Sequence, residues 1–374
     1  MAEQPAGASH EVAPADRVGA LRGPVLVVGV GLLGTSIALA LTRRGVRVLL
    51  HDLDPAHVRT ASQLGGGHPW RPGEQPQLVV VCTPPDVLGE SLAYWLDELP
   101  GAFVTDVGSV KGRPLADLAS RVEGPVLSRY VGSHPMAGSE RSGPLAASDV
   151  LFEGRPWAVS PHAYADPTAV VLVEELAEAC GATVLRLGPE EHDLAVARTS
   201  HLPHLVSALV AGQLAAAPRD HLALSGQGVR DVTRIAAGDP ALWKQIVTAN
   251  ADAVTDLLGA VRDDLDKLIG AVSAGDRDGL AQLLERGVLG TQALPGKHGG
   301  RPRAVAPVWV AVPDQPGELA RLLADVGEIG VNVEDLRIDH DTGRPVGQAA
   351  LSVAATAVED LVAALGERGW TAYT

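Results

Sequence analysis

Blocks of apolar residues between residues 24 and 52 predict a strand, a helix and a second strand. The run from Val25 to Val28 is wholly apolar and rich in valine, which is typical of a strand buried on both faces. An apolar-periodic helix follows and ends near Arg44, and a second apolar run covers Val46 to Leu50. Strands and helices in alternation favour a parallel α/β sheet.

Three glycines separate the first strand from the helix in the pattern Gly29-x-Gly31-x-x-Gly34, and the second strand leads to Asp52. Strand, glycine turn, helix, strand and acid together form the dinucleotide-binding pattern of a Rossmann-type domain. Gly29 permits the tight turn, Gly31 lets the backbone approach a pyrophosphate, and Gly34 lets the helix pack closely on the strand. The positive end of the helix dipole then faces the anion.

Asp52 predicts NAD rather than NADP, since a carboxylate accepts hydrogen bonds from ribose hydroxyls and repels a 2′-phosphate. A further buried strand, Leu78 to Val81, leads to Thr83 at the edge of the sheet where cofactors bind. The alternative is a glycine-rich turn that binds no nucleotide. The residues predicted to bind the cofactor are Gly29, Gly31, Leu33, Gly34, Asp52 and Thr83.

Length and charge limit the classes of function. With 374 residues the chain is long enough for two or three domains, and its net charge of -15 argues against nucleic acid or an anionic membrane surface as partner. Residues 24–41 carry no charge, but their regular glycines suit a nucleotide turn better than a membrane span. Two distant cysteines favour a reduced, cytoplasmic protein, and residues 1–22 are predicted to be a disordered tail.

Two later segments carry candidate chemistry. Ser109 follows directly after the strand from Ala102 to Asp106, which brings it to the cofactor edge. His134 is expected in a loop between small residues and a proline, without a bulky neighbour against its ring. Because imidazole titrates near neutral pH, His134 can accept a proton from a substrate hydroxyl. A structural loop histidine is the alternative for this residue taken alone.

The motifs DVGSVK (106–111) and GSHPMAG (132–138), placed behind a dinucleotide pattern, resemble the prephenate dehydrogenase family, which includes arogenate dehydrogenases. The resemblance covers residues 24–294. Further segments continue it in order and spacing: EHD (191–193), SHLPH (200–204), RDVTRIA (230–236) and DPALW (239–243).

The resemblance implies a role for each matching residue. His134 is similar to the catalytic histidine that takes the ring-hydroxyl proton of prephenate, and Ser109 to the serine that orients it beside the nicotinamide. Arg234 is similar to the arginine that pairs with a substrate carboxylate, and His201 to a histidine of the substrate pocket. The apolar spacing of the helical region predicts helices over residues 204–214, 242–258 and 261–272, with a helix start or kink at Pro203. The resemblance also implies that this region, residues 190–294, forms a homodimer.

Other interpretations of these residues stay open. Arg234 can be a surface arginine paired with Asp231, three residues away. Trp243 is more often a core residue than a substrate contact. His201 and His204 share a helical face, but two histidines rarely hold a catalytic metal, so no metal site is predicted.

Residues 295–304 are predicted to be a linker, and residues 305–374 to be a separate βαββαβ unit of ferredoxin-like order whose first helix runs from Pro316 to Ile329. This unit is similar to ACT domains, which bind amino acids. Tyrosine is the expected effector, and an ACT domain used only for assembly is the alternative. The residues that match the ligand-facing turn and strand start are Asp314, Gln315, Gly317 and Asn332.

Two competing functions remain. A β-hydroxyacid dehydrogenase also joins a nucleotide domain, here residues 23–189, to a helical domain, but its catalytic lysine is missing from residues 199–215. A non-enzymatic sensor of NAD and an amino acid would not need a general base. The choice between prephenate and arogenate as substrate is left open.

Overall fold

The computed structural model describes residues 19–138, 141–294, 305–340 and 346–374. The chain forms two compact units, one ending at Ala260 and one beginning at Val261. The predicted linker 295–304 and most of the predicted tail lie outside the described residues. The backbone N–H groups of Ala20 and Leu21 donate hydrogen bonds to the Glu175 carboxylate at 2.9 and 2.6 Å, so this end of the predicted tail is attached to the first unit.

An eight-stranded sheet organises the first unit, in the order β3-β2-β1-β4-β5-β6-β7-β8. Neighbouring strands are parallel, except that β6 and β7 are antiparallel. The first six strands have the order of a doubly wound dinucleotide-binding sheet, as predicted. The strands are β1 Val25–Val28, β2 Val48–His51, β3 His68–Pro69, β4 Leu78–Val81, β5 Phe103–Asp106, β6 Tyr130–Pro135, β7 Pro156–Ser160 and β8 Thr183–Arg186.

Helices follow the strands of this sheet. The first five of these helices are α1 Leu32–Arg43, α2 Pro55–Gln63, α3 Pro85–Glu98, α4 Gly112–Ala119 and α5 Gly124–Leu127. Helix α6, Pro167–Ala179, starts at the N-cap Asp166, whose carboxylate accepts the Thr168 N–H at 2.7 Å.

Strand β1 is buried on both faces, as its valine-rich pattern predicts. Val25 and Val27 pack into one hydrophobic core, and Leu26 and Val28 pack into a second core on the other face of the sheet. Because β1, β4, β5 and β6 are parallel, their carboxyl ends meet at one edge. The glycine loop, Thr83, the Ser109 loop and His134 all lie at that edge.

The helical region follows. Its helices are α7 Pro189–Val196, α8 Leu202–Ala215, α9 Arg219–Leu222, α10 Gln227–Thr233, α11 Pro240–Ala249, α12 Ala251–Ala274 and α13 Arg277–Gln292. A π-helical turn, Ala197–His201, joins α7 to α8, so Pro203 lies in the first turn of α8, close to the predicted helix start. The apolar run 242–258, predicted as one helical stretch, is broken at Asn250 between α11 and α12. None of the helices within the described ranges combines the length and apolarity needed to cross a membrane.

The end of the second unit has the predicted element order. It comprises β9 Val305–Pro313, α14 Glu318–Ile329, β10 Asp335–His340, β11 Val346–Ala354, α15 Val358–Glu367 and β12 Thr371–Tyr373. The strands form an antiparallel sheet in the order β10-β11-β9-β12, with a core between the sheet and its two helices. Helix α14 begins two residues later than predicted because Gly317 has a φ of +94° and ends the preceding turn.

Candidate active site

The glycine loop at the end of β1 has room for a ligand at one glycine and none at the other two. Gly29 has a φ of +86°, and a Cβ there would lie 2.7 Å from the Cys82 carbonyl oxygen. A Cβ at Gly34 would collide with the Gly29 carbonyl oxygen, whereas a Cβ at Gly31 would meet nothing within 4 Å. The loop is therefore tightly packed against the protein at Gly29 and Gly34 and open at Gly31, as a pyrophosphate site requires.

Two polar side chains flank this loop. The carboxylate of Asp52 accepts the Val30 N–H and the Asp54 N–H, both at 2.8 Å, so Asp52 also fixes the glycine loop. Each carboxylate oxygen keeps a second lone pair for a ribose hydroxyl. The Thr83 hydroxyl oxygen is buried without a hydrogen-bond partner among the described residues. A buried hydroxyl in that state is a suitable contact for a polar ligand group, so the residues present fit a dinucleotide.

His134 lies within strand β6 and not in the loop that the sequence predicted. His134 pairs with Ala158 of the antiparallel strand β7, and this pairing continues β6 as far as Pro135. The expectation that no bulky neighbour contacts it is also wrong, because the ring of His192 packs edge-on against it with centroids 5.2 Å apart. A pairing partner 24 residues away in sequence is not visible in the local pattern.

A chain of hydrogen bonds begins at His134. Its Nδ1 lies 3.0 Å from Nε2 of His192, and Nδ1 of His192 lies 2.8 Å from Oδ1 of Asp193. His192 is buried and His134 is half-buried. Burial lowers the pKa of His134 well below its usual range, and the charges of His192, Lys111 and His201 lower it further, so the ring is neutral near pH 7.

Asp193 also fixes the loop that carries Ser109. Its two carboxylate oxygens accept the Lys111 and Gly112 N–H groups at 2.7 and 2.8 Å, which caps the start of α4. At the other end of the loop, the Asp106 carboxylate accepts the Gly108 N–H at 2.8 Å. Ser109 is half-buried between these two anchors. Nδ1 of His134 is hydrogen-bonded to His192 and not to Ser109. The role of Ser109 in orienting the His134 ring therefore remains a prediction.

An ion pair is buried beneath this loop. Lys111 and Asp106 are both almost fully buried and form a short ion pair, and the Lys111 ammonium also donates to the Ser133 carbonyl at 2.7 Å. The Tyr130 hydroxyl donates to the other Asp106 oxygen at 2.9 Å. Burial lowers the pKa of Lys111 while Asp106 raises it, and burial raises the pKa of Tyr130 well above its usual range.

His201 is buried in the π-helical turn. Its Nδ1 lies 3.2 Å from Nδ2 of Asn250, whose amide also donates to the Asp193 carbonyl oxygen at 2.8 Å. Burial lowers the pKa of His201 to about 4, against an opposing effect of the Asp193 charge. His204 stacks on the Trp243 ring with centroids 3.5 Å apart, so Trp243 packs against the site and is not isolated in a core.

Arg234 is exposed in a short 3-10 turn, Arg234–Ala237. Within the described residues it forms no ion pair with Asp231, whose carboxylate accepts a hydrogen bond from Gln227 at 2.8 Å. The alternative of a surface pair with Asp231 is therefore not realised, and the guanidinium remains available for a ligand.

Sequence reasoning missed three contributors. His192 and Asp193 were part of a quoted motif but received no role, and Asn250 was taken as part of a helix. Two features of the sequence could have indicated them. His192 and Asp193 are adjacent polar residues in the first helix of the helical region, and Asn250 is an amide inside an apolar run. Across the described ranges, no three His, Cys, Asp or Glu side chains are grouped as a metal would require.

Comparison with known proteins gives matches over most of the chain. The model of the prephenate dehydrogenase nucleotide-binding domain matches residues 37–186, and that of the prephenate dehydrogenase dimerization domain matches residues 188–286. A protein named probable prephenate dehydrogenase NovF, from Streptomyces niveus, is 35% identical over 358 residues, which is 93% of this chain and 98% of that protein.

Two solved structures are similar to the nucleotide and helical regions. Prephenate dehydrogenase from Aquifex aeolicus, in complex with hydroxyphenyl propionate and NAD+, matches with 30% identity and a TM-score of 0.64 over 71% of this chain and 96% of that one. Synechocystis arogenate dehydrogenase matches with 28% identity and a TM-score of 0.63, over 71% and 98% of the two chains. These matches decide against the β-hydroxyacid dehydrogenase alternative. The chain therefore belongs to the prephenate dehydrogenase family of NAD-dependent oxidoreductases.

Proposed function

We propose that this protein catalyses the NAD-dependent oxidative decarboxylation of prephenate to 4-hydroxyphenylpyruvate, a step of tyrosine biosynthesis. The observation that carries the proposal is His134, a neutral, half-buried histidine at the cofactor edge whose Nδ1 side is held by His192. A general base must be unprotonated and positioned before the substrate arrives, and both conditions are met by this ring.

In this proposal His134 accepts the proton of the ring hydroxyl as the carbon that bears it is oxidised. NAD, when bound, supplies the acceptor for the hydride that leaves that carbon. The ring carboxylate departs as carbon dioxide, its bonding electrons complete the aromatic ring, and the proton returns to the phenolic oxygen. Because aromatisation drives the reaction, the protein mainly has to orient the substrate and stabilise charge.

Arg234 and His201 are proposed to hold the substrate, and Ser109 to contact the reacting end of the ring beside the nicotinamide. The planar guanidinium of Arg234 can donate two parallel hydrogen bonds to a carboxylate. Prephenate carries two carboxylates, so an exposed guanidinium in a turn that contacts α8, the helix directly after His201, supports this assignment. His201 is neutral at pH 7 and can donate or accept without adding charge.

NAD is proposed to lie along the glycine loop, with its pyrophosphate at Gly31 and its adenosine ribose at Asp52. The open space at Gly31 supports the first contact, and the unpartnered Thr83 hydroxyl supports a further contact at the end of β4. The Asp52 charge disfavours a 2′-phosphate, so NAD is expected to bind more tightly than NADP.

Arogenate is the second candidate substrate, because the similar Synechocystis structure is an arogenate dehydrogenase. The two substrates differ only in a keto group or an amine on the side chain, and the hydroxyl, the ring and the ring carboxylate are shared. The same roles of His134 and Arg234 apply to both. A non-enzymatic sensor would require that both substrates stay unreacted while NAD binds.

The βαββαβ unit is proposed to be an ACT domain through which tyrosine inhibits the enzyme. Asp314 and Gln315 are exposed in the turn after β9, and Gly317 has the left-handed conformation that lets this turn meet α14. The Asn332 amide donates to Glu334 at 2.9 Å just before β10. Addition of tyrosine is expected to lower the activity or raise the melting temperature. If neither tyrosine nor phenylalanine changes either quantity, the role that remains for the domain is assembly.

The proposal includes a homodimer in the cytoplasm. Large apolar side chains are exposed along α12 and α13, which supports burial against a second copy: Leu265, Ile269, Val272, Leu284, Val288 and Leu289. Cys82 and Cys180 are free thiols, as a reducing compartment favours.

The test is absorbance at the NADH band with purified protein, NAD or NADP, and either prephenate or arogenate. Rapid reduction of NAD with prephenate is expected. Reduction with arogenate alone would change the substrate, and no reduction with either substrate would overturn the proposal in favour of a sensor.

A further inference from the structure

The two histidines of the site are linked through one residue, Asp193. Its carboxylate accepts the Lys111 and Gly112 N–H groups at the start of α4, so it acts as an acceptor on both oxygens. The hydrogen bond at 2.8 Å between Asp193 Oδ1 and His192 Nδ1 therefore requires the proton on Nδ1 of His192.

This proton placement determines the state of His134. A neutral His192 with its proton on Nδ1 has only a lone pair on Nε2, so Nε2 accepts. The hydrogen bond at 3.0 Å then needs a proton on Nδ1 of His134. The remaining nitrogen of His134, Nε2, carries the lone pair and can accept a proton.

A second branch determines the state of His201. The Asp193 carbonyl oxygen accepts from Asn250 at 2.8 Å, so the amide must turn its nitrogen, Nδ2, toward it. The other hydrogen of Nδ2 faces Nδ1 of His201 at 3.2 Å, which makes that ring nitrogen the acceptor. A neutral His201 therefore carries its proton on Nε2.

We propose that His192, Asp193 and Asn250 are positioning residues that give the two site histidines opposite tautomers, with Nε2 of His134 as a proton acceptor and Nε2–H of His201 as a hydrogen-bond donor. The role in turnover rests on the proposed function, whereas the tautomers do not. Asp193 then sets the tautomers of both rings. His134 can accept the proton of a substrate hydroxyl, and His201 can donate a hydrogen bond to an oxygen of the same substrate.

The surroundings keep both rings neutral, which a fixed tautomer requires. The charged or titratable groups that affect His134 are His192, Lys111 and His201. Those that affect His201 are Asp193, His192 and His204. Among these groups only Asp193 favours a proton on His201, and burial outweighs its effect.

The direct test is the solid-state 15N spectrum of the full chain labelled at histidine, near pH 7.5. The signals of His134 and His201 are assigned by their loss in His134→Asn and His201→Asn. A protonated and an unprotonated ring nitrogen have clearly different 15N shifts. Protonated Nδ1 in His134 together with protonated Nε2 in His201 is expected, and the same tautomer in both rings would overturn the proposal. This measurement is decisive even if neither prephenate nor arogenate reacts.

The variant Asp193→Asn tests the consequence for turnover. An amide nitrogen in the place of Oδ1 can donate to His192 and reverse the proton order, and it also removes the acceptor of the Lys111 N–H, so kcat should fall by about 100-fold, as expected for a general base with the wrong tautomer. The matched control is Asp166→Asn, which replaces a carboxylate that caps α6 and has no histidine as hydrogen-bond partner in the part of the chain that the structure describes. An unchanged kcat in Asp193→Asn, with a shifted His134 15N signal, would overturn the role in turnover.

A second pair of variants guards against loss of folding. His192→Phe keeps a ring against His134 but removes both nitrogens, so His134 should populate both tautomers and lose turnover while NAD binding is retained. Asn250→Asp places an acceptor opposite His201 Nδ1, so its proton should move to Nδ1 and KM should rise more than kcat falls. Unaltered 15N signals in both variants would contradict the proposal.

Discussion

Nδ1 of His134 lies 3.0 Å from Nε2 of His192, and this contact joins the nucleotide sheet to the first helix of the helical region. His134 is on β6 and His192 is on α7, 58 residues later in the chain. The proposed base is therefore held by a helix that follows the nucleotide sheet in the chain. Mutations that shift α7 should alter catalysis without touching the cofactor loop.

The glycine loop offers a matched pair of variants. Gly34→Ala would drive a Cβ into the Gly29 carbonyl oxygen, and overpacking of this kind costs about 1–3 kcal/mol of unfolding free energy. Gly31→Ala meets no protein atom within 4 Å and should keep the wild-type melting temperature. It should nevertheless weaken NAD binding by about tenfold or more, which is about 1.4 kcal/mol. Calorimetric titration with NAD and a thermal melt measure both effects, and full NAD affinity in Gly31→Ala would contradict the assignment of the loop.

Arg234→Ala should raise KM for prephenate by about 10- to 100-fold, since a charged hydrogen bond contributes about 1.5–3 kcal/mol. The control is Arg230→Ala, an exposed arginine in the preceding helix α10. Steady-state kinetics at saturating NAD separate KM from kcat. Equal KM values for the two variants would remove Arg234 from the substrate pocket.

Lys111→Met should destabilise the protein by about 3–5 kcal/mol, because it leaves the buried Asp106 carboxylate without its cation. The double variant Lys111→Met/Asp106→Asn removes both charges and should recover part of the loss, since the amide oxygen can still accept the Gly108 N–H while the amide NH2 donates to the Tyr130 hydroxyl oxygen. Urea unfolding followed by circular dichroism measures the free energies. A single variant as stable as wild type would show that the pair contributes nothing.

Acid should destabilise the protein partly through His201. Its pKa is about 4 in the folded state and 6.5 in the unfolded reference, so the unfolded chain binds more protons between these values. Stability from this residue is complete above pH 6.5 and is lost as the pH falls toward 4, by about 1–3 kcal/mol. The unfolding free energy of His201→Asn should vary less steeply across this window. Identical pH dependence in wild type and variant would contradict a neutral, buried His201.

The nucleotide region was predictable because its signals are local. Val25 to Val28, the three glycines and Asp52 lie within 28 residues, and each has a defined place in the pattern. The βαββαβ order of the last unit was predictable for the same reason. Helix α14 starts at Glu318, two residues after the predicted start, because the positive φ of Gly317 is set by the turn and leaves no periodic signal.

The parts that sequence reasoning missed depend on distant contacts. His134 was assigned to a loop because the pairing of β6 with β7 is not local. Asn250 was placed inside a helix because its apolar neighbours continue the helical period. Its side chain instead bonds Asp193 and His201, and only the folded chain brings these residues together.

The measurement that tests the account most directly compares NADH formation from prephenate by wild type and by His134→Asn, with His221→Asn, an exposed histidine of α9, as the control. Wild type and the control should turn over at similar rates. His134→Asn should bind NAD and prephenate but lose about two to four orders of magnitude in kcat, the contribution of one general base. Turnover by His134→Asn close to that of wild type would contradict the central claim that His134 is the base.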